Sequence, residues 1–377
     1  MRIAILTSVF RPEFGVARVI ASQLSYLVKA GAAVDLYACE LSREMIPDGV
    51  SAVRVPTHLK GLRTALLHGR YDVVIAHTDP FFKFLADTDL GCAKIGYEHG
   101  FPPVELCLPE EREWRMKELT GRLEDIYPKL SQVVTISEYA RSYIRWPAAK
   151  VIYNGADHYS GLTRQDDAAA DADSPVTLLA VTRFRKEEWL YKGLDDLCRL
   201  KDDLKDRVRI RIAGAGDELS REMLLSKGIE VIGVVSSREE MARLYGECDA
   251  LVSFSQWETF NLPLAEAGFA RRPAFTLNLC VHPEVTPFVF DTYEALRDYL
   301  LKSTRLSLRS DGEKMHAYVS ERFRWEQNVR ALLDVIGSVV PESSAKKPTF
   351  VKSLVWRFWE ARESMRQNVY KKWVKRP

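Results

Sequence analysis

Two glutamates, Glu258 and Glu266, flank a short segment that the sequence places between a strand and a helix. Residues 250–255 are apolar and rich in β-favouring types, whereas residues 262–270 have the composition of a buried helix. Glu258 would then follow the carboxyl end of a strand, and Glu266 would lie on the next helix. Ligands of open parallel sheets bind at this edge. The two carboxylates therefore form a candidate ligand site that can accept hydrogen bonds from hydroxyl groups.

The elements that would position these glutamates belong to two series of strand-like runs. Apolar runs alternate with longer helical patterns, which predicts parallel strands joined by crossover helices. The first series comprises residues 3–6, 33–37, 73–76, 94–97, 133–136 and 151–153. The second comprises residues 178–181, 208–212, 229–232, 250–255 and 274–277. The sequence therefore predicts an α/β protein with two doubly wound, Rossmann-like domains.

Length and composition agree with this prediction. At 377 residues the chain exceeds the roughly 250–300 residues at which single cores usually stop growing. No stretch of about 18 apolar residues is present and the first strand lacks signal-peptide features, so we expect the chain to stay in the cytoplasm. The six cysteines and seven histidines show no metal-ligand spacing, which favours buried free thiols. The alternative is a divalent-metal site at the acidic triplet Asp87-Thr88-Asp89.

Further motifs occur in a fixed order along the chain. They are Gly15 after the first strand, Glu98-His99-Gly100, residues 134–138, residues 151–157, Arg183 with Lys192-Gly193, Gly214-Ala215-Gly216 and Phe323-Arg324-Trp325. Together with Glu258 and Glu266, this series resembles glycosyltransferase family 4 as far as about residue 340. The resemblance implies the two-domain GT-B fold, a retaining glycosyltransferase, a nucleotide-sugar donor and no requirement for a metal ion.

The resemblance also divides the chain. Residues 166–175 are polar and poor in aromatic side chains, as expected of a linker. We expect an acceptor-side domain at 1–157, a linker at 158–175, a nucleotide-sugar-binding domain at 176–322, a helix returning to the first domain at 323–340 and a basic tail at 341–377. The helical spacing of Val329, Leu332 and Ile336 favours the return helix.

The resemblance assigns most of the donor site to the second domain. Arg183 and Lys192 correspond to two cations that stabilise the diphosphate as negative charge grows on it. Glu266 corresponds to the residue that accepts hydrogen bonds from the ribose hydroxyls, and Glu258 to the one that meets the transferred sugar. Backbone N–H groups at the start of the helix can approach the sugar or the phosphate. These belong to Phe260, Asn261 and Leu262.

These assignments have plainer alternatives. The two cations could be solvated loop residues, Glu258 a helix N-cap and Glu266 a surface glutamate. The chain also departs from the family at Thr259 and Asn261, where glycines are frequent. Larger residues there narrow the approach to the backbone, so the identity of the sugar does not follow from the resemblance.

Gly15, His99 and Gly214 complete the predicted site. Gly15 allows close approach of a phosphate to a helix N-terminus, although the family usually has two glycines where this chain has Phe14-Gly15. Gly214 matches a glycine-containing loop of the nucleotide domain. His99 follows a predicted strand, where the family has a histidine that can hydrogen-bond the transferring sugar. Simple turn glycines and a structural histidine are the alternatives.

The last 33 residues, 345–377, are basic and aromatic. They carry ten lysines and arginines and two glutamates, whereas the formal net charge of the whole chain is only +2. A net acidic body argues against a general nucleic-acid protein. The tail has the pattern of an amphipathic helix on an anionic membrane surface, or of a helix packed on the protein or on a second subunit.

We therefore expect a retaining hexosyltransferase that uses a UDP- or GDP-sugar in the cytoplasm, with the tail as a peripheral contact on the inner face of the membrane. The acceptor would be a glycan, lipid-linked, of a cell-surface polysaccharide or lipopolysaccharide. One alternative is a catalytically idle scaffold of the same fold, recruited by its tail. Another is a nicotinamide-dependent dehydrogenase, against which the lack of G-x-G-x-x-G after the first strand counts.

Overall fold

The computed structural model describes residues 1–12, 14–100, 103–107, 109–161, 175–235 and 237–340. These residues form two α/β domains, each built on a parallel sheet, as the alternating pattern predicts. The basic tail predicted at 341–377 and most of the predicted linker lie outside the described residues.

The N-terminal domain has a seven-stranded sheet. Its strands are β1 (Arg2–Phe10), β2 (Ala33–Leu41), β3 (Ser51–Arg54), β4 (Val73–Ala76), β5 (Ala93–Glu98), β6 (Gln132–Thr135) and β7 (Lys150–Val151). Their order is β3-β2-β1-β4-β5-β6-β7, so the winding reverses between β1 and β4. The helices are α1 (Gly15–Lys29), α2 (Leu62–Gly69), α3 (Phe81–Asp87), α4 (Pro109–Gly121) and α5 (Glu138–Tyr143).

The C-terminal domain has a six-stranded sheet. Its strands are β8 (Val176–Val181), β9 (Val208–Ala213), β10 (Glu230–Gly233), β11 (Ala250–Ser253), β12 (Ala274–Leu277) and β13 (Val289–Phe290). They run in the order β10-β9-β8-β11-β12-β13, with the reversal between β8 and β11. The helices are α6 (Leu194–Leu204), α7 (Glu218–Ser226), α8 (Arg238–Glu247), α9 (Leu262–Phe269), α10 (His282–Val285) and α11 (Tyr293–Lys302).

Two C-terminal helices complete the structure. Helix α12 (Arg305–Arg322) packs on α9, and α13 (Trp325–Val339) packs on α1 of the N-terminal domain. The amide of Gln23 on α1 donates to Asn328 Oδ1 on α13 at 3.1 Å, and Asn328 Nδ2 donates to the Tyr153 carbonyl at 2.8 Å. The chain therefore passes from the second domain back to the first at residues 323–325.

The reversal points of both sheets face one cleft. Its wall combines the start of α1 with the loops after β8 and β9 and the start of α9. Carboxyl ends of strands beside a reversal are where open α/β sheets bind ligands. The cleft between the domains is therefore the expected ligand-binding site.

The described helices and side chains bear on membrane insertion and on metal binding. None of its helices is both long and apolar enough to span a bilayer. Its His, Cys, Asp and Glu side chains form no group of three or more suited to a metal ion. In the Asp87-Thr88-Asp89 triplet, Asp87 pairs with Lys83 at 2.8 Å and Asp89 accepts from the Gly91 backbone at 3.0 Å.

Candidate active site

The turn between Glu258 and Glu266 is held by Asn261. This residue caps α9 with a φ of 57° and a ψ of 66°, in the left-handed region. Asparagine enters this region more readily than other residues with a side chain, so it can replace the glycine frequent in the family. Its side-chain amide donates to Ser253 Oγ at 3.3 Å and lies 3.2 Å from His282 Nε2. The turn therefore keeps its shape without glycine.

Glu258 and Lys192 form an ion pair beside this turn. Lys192 Nζ lies 2.6 Å from Glu258 Oε1, and both side chains are largely shielded, with exposed fractions of 9% and 19%. Gly193 brings the lysine loop against β11, because a Cβ there would lie 2.0 Å from the Phe254 carbonyl oxygen. Lys192 is thus not a solvated loop cation. Glu258 is not the N-cap, since Asn261 occupies that position.

Arg183 lies on the cleft wall and keeps an accessible guanidinium. Its Nη2 is 2.6 Å from Glu188 Oε1, and 43% of the side chain is exposed. Gly214 lies against the same loop with a φ of 150°, and a Cβ there would be 2.0 Å from the Thr182 carbonyl oxygen. Glycine therefore lets the loops after β8 and β9 meet, and both residues line the cleft.

Glu266 is a buried, ionised carboxylate and not a surface residue. Its side chain is 3% exposed. His158 Nε2 lies 3.1 Å from Oε1, and the Tyr245 hydroxyl donates to Oε2 at 2.6 Å. Burial acts to raise the pKa of Glu266, but the hydrogen bond from His158 and the charge of Arg18 outweigh it and hold the pKa below its ordinary value. The carboxylate retains lone pairs for additional donors at the cleft wall.

Sequence reasoning missed three residues around Glu266. Arg18 of α1 donates to the Pro12 carbonyl at 3.1 Å and to the Val235 carbonyl at 3.3 Å, and so links the two domains. Arg18 follows Gly15 by about one helical turn, and this spacing could have predicted that it lies on the same cleft wall. His158 and Tyr245 carry no comparable signal, because their role depends on how the two domains meet.

The predicted sugar-side histidine, His99, forms a pair with His77. His99 Nε2 lies 3.0 Å from His77 Nδ1, and the two rings stack with centroids 5.3 Å apart. Burial lowers the pKa of His99 to about 4, against the opposing charge of Glu98. His99 is therefore a neutral imidazole at physiological pH.

Thr259, the other departure from the family, joins the two halves of the site. Its hydroxyl donates to the His99 carbonyl at 2.6 Å, and its own carbonyl accepts from Ser137 Oγ at 2.7 Å. Gly100 makes this contact close, since a Cβ there would lie 2.4 Å from Thr259 Cγ2. The threonine, which follows Glu258, thus ties this turn of the second domain to the backbone at His99 of the first.

The remaining predicted residues divide by position. Gly15 begins α1 and lines the cleft together with Arg183, Gly214, Leu262 and Glu266. Phe260 instead points into the core, where its ring packs against Phe323 at a centroid distance of 5.2 Å. Only its backbone remains a candidate for ligand contact. The functional roles of all these residues stay predictions.

Two sequence families match the chain. Residues 175–302 match "Glycosyl transferases group 1", and residues 15–159 match "Glycosyltransferase Family 4". Together the two matches cover most of both domains. No curated protein sequence matches the chain significantly.

Several solved structures share the fold at low sequence identity. HepE (Alr3699) from Anabaena, in complex with UDP and glucose, has a TM-score of 0.71 and 14% identity over 90% of this chain and 100% of its own. The sucrose-phosphate synthase of Thermosynechococcus elongatus has a TM-score of 0.72 and 16% identity over 89% and 98%.

WaaG, a glycosyltransferase of lipopolysaccharide biosynthesis, has a TM-score of 0.63 and 14% identity over 89% of this chain and 100% of its own. At such identities these likenesses establish the fold. The two family matches, at residues 15–159 and 175–302, show that this chain of the GT-B fold belongs to the family 4 glycosyltransferases.

Proposed function

We propose that this glycosyltransferase transfers a hexose, with retention, from a UDP- or GDP-sugar to a saccharide acceptor of a cell-surface polysaccharide or lipopolysaccharide. One observation carries the proposal: Arg183 and Glu266 of the second domain line one cleft with Gly15 of the first, and Thr259, next to Glu258, bonds to His99 of the first. HepE was solved with UDP and glucose, and WaaG acts in lipopolysaccharide biosynthesis, which supports this class of donor and product.

The donor nucleotide would bind against the second domain. The ionised Glu266 accepts hydrogen bonds from the ribose hydroxyls, and Arg183 offers a planar fork to the diphosphate. Lys192 adds a positive charge whose position is fixed by Glu258. Because negative charge on the diphosphate grows as the sugar leaves, these fixed cations stabilise the transition state more than the bound donor.

The sugar would lie between Glu258 and His99. The free oxygen of Glu258 can accept a hydrogen bond from a sugar hydroxyl, and the neutral His99 ring can take part in another. We infer a front-face reaction, in which the acceptor hydroxyl attacks beside the departing phosphate and the phosphate takes its proton. Positioning and electrostatics then supply most of the rate, without a metal ion or a separate general base.

The acceptor is proposed to be lipid-linked, through the basic tail at 345–377. Its ten lysines and arginines are suited to an anionic membrane surface, where each near-surface cation contributes about 1 kcal/mol. Removal of the tail should abolish sedimentation with vesicles of phosphatidylglycerol and phosphatidylcholine. Unchanged sedimentation would leave the tail as a protein contact.

Nucleotide binding is the first test of the function. UDP, GDP, ADP, CMP and NAD are compared by thermal stabilisation of the wild type, of Glu266→Ala and of the control Glu321→Ala on the exposed end of α12. A ligand at about 100 times its Kd adds roughly 2.7 kcal/mol, so the true donor nucleotide should stand out. Stabilisation by UDP or GDP that only Glu266→Ala loses supports the proposal. Stabilisation by NAD alone, or by none of the five, contradicts it.

Turnover is the second test. The purified enzyme is incubated with the UDP- or GDP-sugars of the binding nucleotide, and the anomeric proton of the product is followed by NMR. An axial donor should give an axial product. Inversion would contradict the proposed stereochemistry, and binding without any transfer or donor hydrolysis would favour the idle scaffold.

A further inference from the structure

Three side chains form a hydrogen-bonded series that ends at Glu266. The indole Nε1 of Trp325 lies 3.3 Å from His158 Nδ1, and His158 Nε2 lies 3.1 Å from Glu266 Oε1. Trp325 is 2% exposed, and the His158 side chain is 23% exposed. The series therefore runs from the core to the edge of the cleft.

The chemistry of these groups fixes the direction of the hydrogen bonds. An indole N–H only donates, so His158 Nδ1 must accept and carries no proton. The ring proton of the neutral imidazole is then on Nε2, which faces the carboxylate. His158 thus donates to Glu266 because Trp325 selects the tautomer. Tyr245 donates to the other carboxylate oxygen, so both oxygens are held from the protein side.

Trp325 is itself held where the chain crosses between the domains. Its backbone N–H donates to Asp157 Oδ1 at 2.9 Å, and the Ala156 N–H donates to the Phe323 carbonyl at 2.9 Å. Gly155 permits this contact, because a Cβ there would lie 2.4 Å from the Trp325 nitrogen. The indole and the imidazole are therefore aligned by the backbone on which they sit.

We propose that Trp325 and His158 are positioning residues, which orient the Glu266 carboxylate to accept both ribose hydroxyls of a nucleoside diphosphate. This inference rests on the proposed function. His158 bonds to Oε1 of a carboxylate that lines the cleft, and Trp325 acts only through His158. Without the imidazole donor, the carboxylate loses one of the two contacts that fix its rotation, and recognition of the hydroxyls weakens.

The test measures hydroxyl recognition directly. Calorimetry gives the Kd of whichever of UDP and GDP binds more tightly, and of its 2′,3′-dideoxy analogue, for each full-length variant. The ratio of the two Kd values isolates the ribose contact, because partial unfolding weakens the binding of both ligands equally. A charge-assisted hydrogen bond stabilises by about 1.5–3 kcal/mol, so the wild type should prefer the hydroxylated nucleotide at least about tenfold.

The variants are His158→Ala, His158→Gln and Trp325→Phe, with His68→Ala and Trp146→Phe as controls. His68 is exposed and Trp146 packs on Tyr127, both in the first domain and outside the cleft. We expect His158→Ala to bring the ratio close to one, His158→Gln to restore part of it through its amide N–H, and Trp325→Phe to lower it severalfold. The controls should keep the wild-type ratio.

A double-mutant cycle separates a positioning role from direct contact of His158 with the ribose. If Trp325 acts through His158, Trp325→Phe should have no effect on the ratio in a His158→Ala background. The inference would be overturned if Trp325→Phe left the ratio unchanged, or if the effects of the two substitutions were additive. The proposed nucleotide site would still stand in that case, provided that the wild type prefers the hydroxylated nucleotide tenfold. Absence of UDP and GDP binding in the wild type would overturn both.

Discussion

At the scale of single residues, the site consists of charges that the protein has already paired. Glu258 neutralises Lys192, Glu188 contacts Arg183, and His158 and Tyr245 contact Glu266. Such pairing keeps partly buried charges in place before a ligand arrives. It also makes each residue both a structural and a functional group, so substitutions must be designed to separate the two.

The Lys192 and Glu258 pair allows that separation. Lys192→Met should lower the free energy of unfolding by about 3 kcal/mol, because it leaves a shielded carboxylate without its partner. The double variant Lys192→Met/Glu258→Gln should recover most of this stability but no transferase activity. Urea denaturation and a transfer assay measure the two quantities.

The exposed pair of Lys83 and Asp87 provides the matched control. Its atoms are 2.8 Å apart but both side chains face solvent, so Lys83→Met should leave the free energy of unfolding nearly unchanged. If Lys192→Met and Lys83→Met lowered the free energy of unfolding equally, burial would not strengthen the ion pair of Lys192 with Glu258.

The low pKa of His99 predicts how the stability of the protein depends on pH. Its pKa of about 4 means that the folded protein binds no proton at this ring above about pH 5, whereas the unfolded chain binds one below about 6.5. The stability that His99 contributes is therefore complete above pH 6.5 and is lost as the pH falls towards 4. NMR of the ring should show a midpoint near 4. A His99 midpoint near 6.5 would contradict its burial.

At the scale of elements, the strand-to-helix turn before α9 combines an unusual backbone with a buried helix. The apolar pattern predicted both β11 and α9 because their residues are almost wholly buried. It missed the two edge strands β3 and β13, because β3 is largely exposed and β13 has only two residues. The apolar pattern also did not predict the left-handed conformation of Asn261, because it carries no information on the backbone dihedrals of a turn.

This turn predicts a ranking of substitutions at Asn261. Asn261→Ala should destabilise the protein more than Asn261→Gly by about 1 kcal/mol, because alanine disfavours a positive φ. Both lose the amide contacts with Ser253 and His282, so their difference reports the backbone alone. Urea denaturation measures it.

Arg271 serves as the control, because it has the same φ of 57° and lies in the turn after α9. Its alanine and glycine variants should differ by a similar amount while donor binding stays unchanged. If Asn261→Ala proved as stable as Asn261→Gly, the left-handed conformation would not be needed at the turn.

At the scale of the whole molecule, the two domains are tied together beside the cleft. The Glu284 carboxylate accepts from the backbone N–H groups of Glu138 and Tyr139 at 2.9 and 2.7 Å, and from the Tyr153 hydroxyl at 2.8 Å. Thr259 adds its two bonds to His99 and Ser137. These contacts could not be read from sequence, since each joins residues more than 120 positions apart.

We expect Glu284→Ala to loosen the domains. Loss of three hydrogen bonds should increase the radius of gyration of the nucleotide-free protein in small-angle X-ray scattering and raise its KM for the donor. Glu313→Ala, at an exposed ion pair with Arg271, should leave both unchanged. An unaltered scattering profile for Glu284→Ala would show that packing alone holds the domains in place.

Residues 155–161 and 323–325 contact each other where the chain returns to the first domain, and they lie beside Glu266 through His158 and Trp325. Points near a pivot move least when two bodies rotate, whereas the bonds of Thr259 to His99 and Ser137 would separate if the domains opened about these segments. The nucleotide end of a donor could therefore bind to either an open or a closed enzyme, while the surroundings of its sugar assemble only on closure. That geometry favours an ordered kinetic scheme, in which the donor binds before the acceptor and the spent nucleotide leaves last.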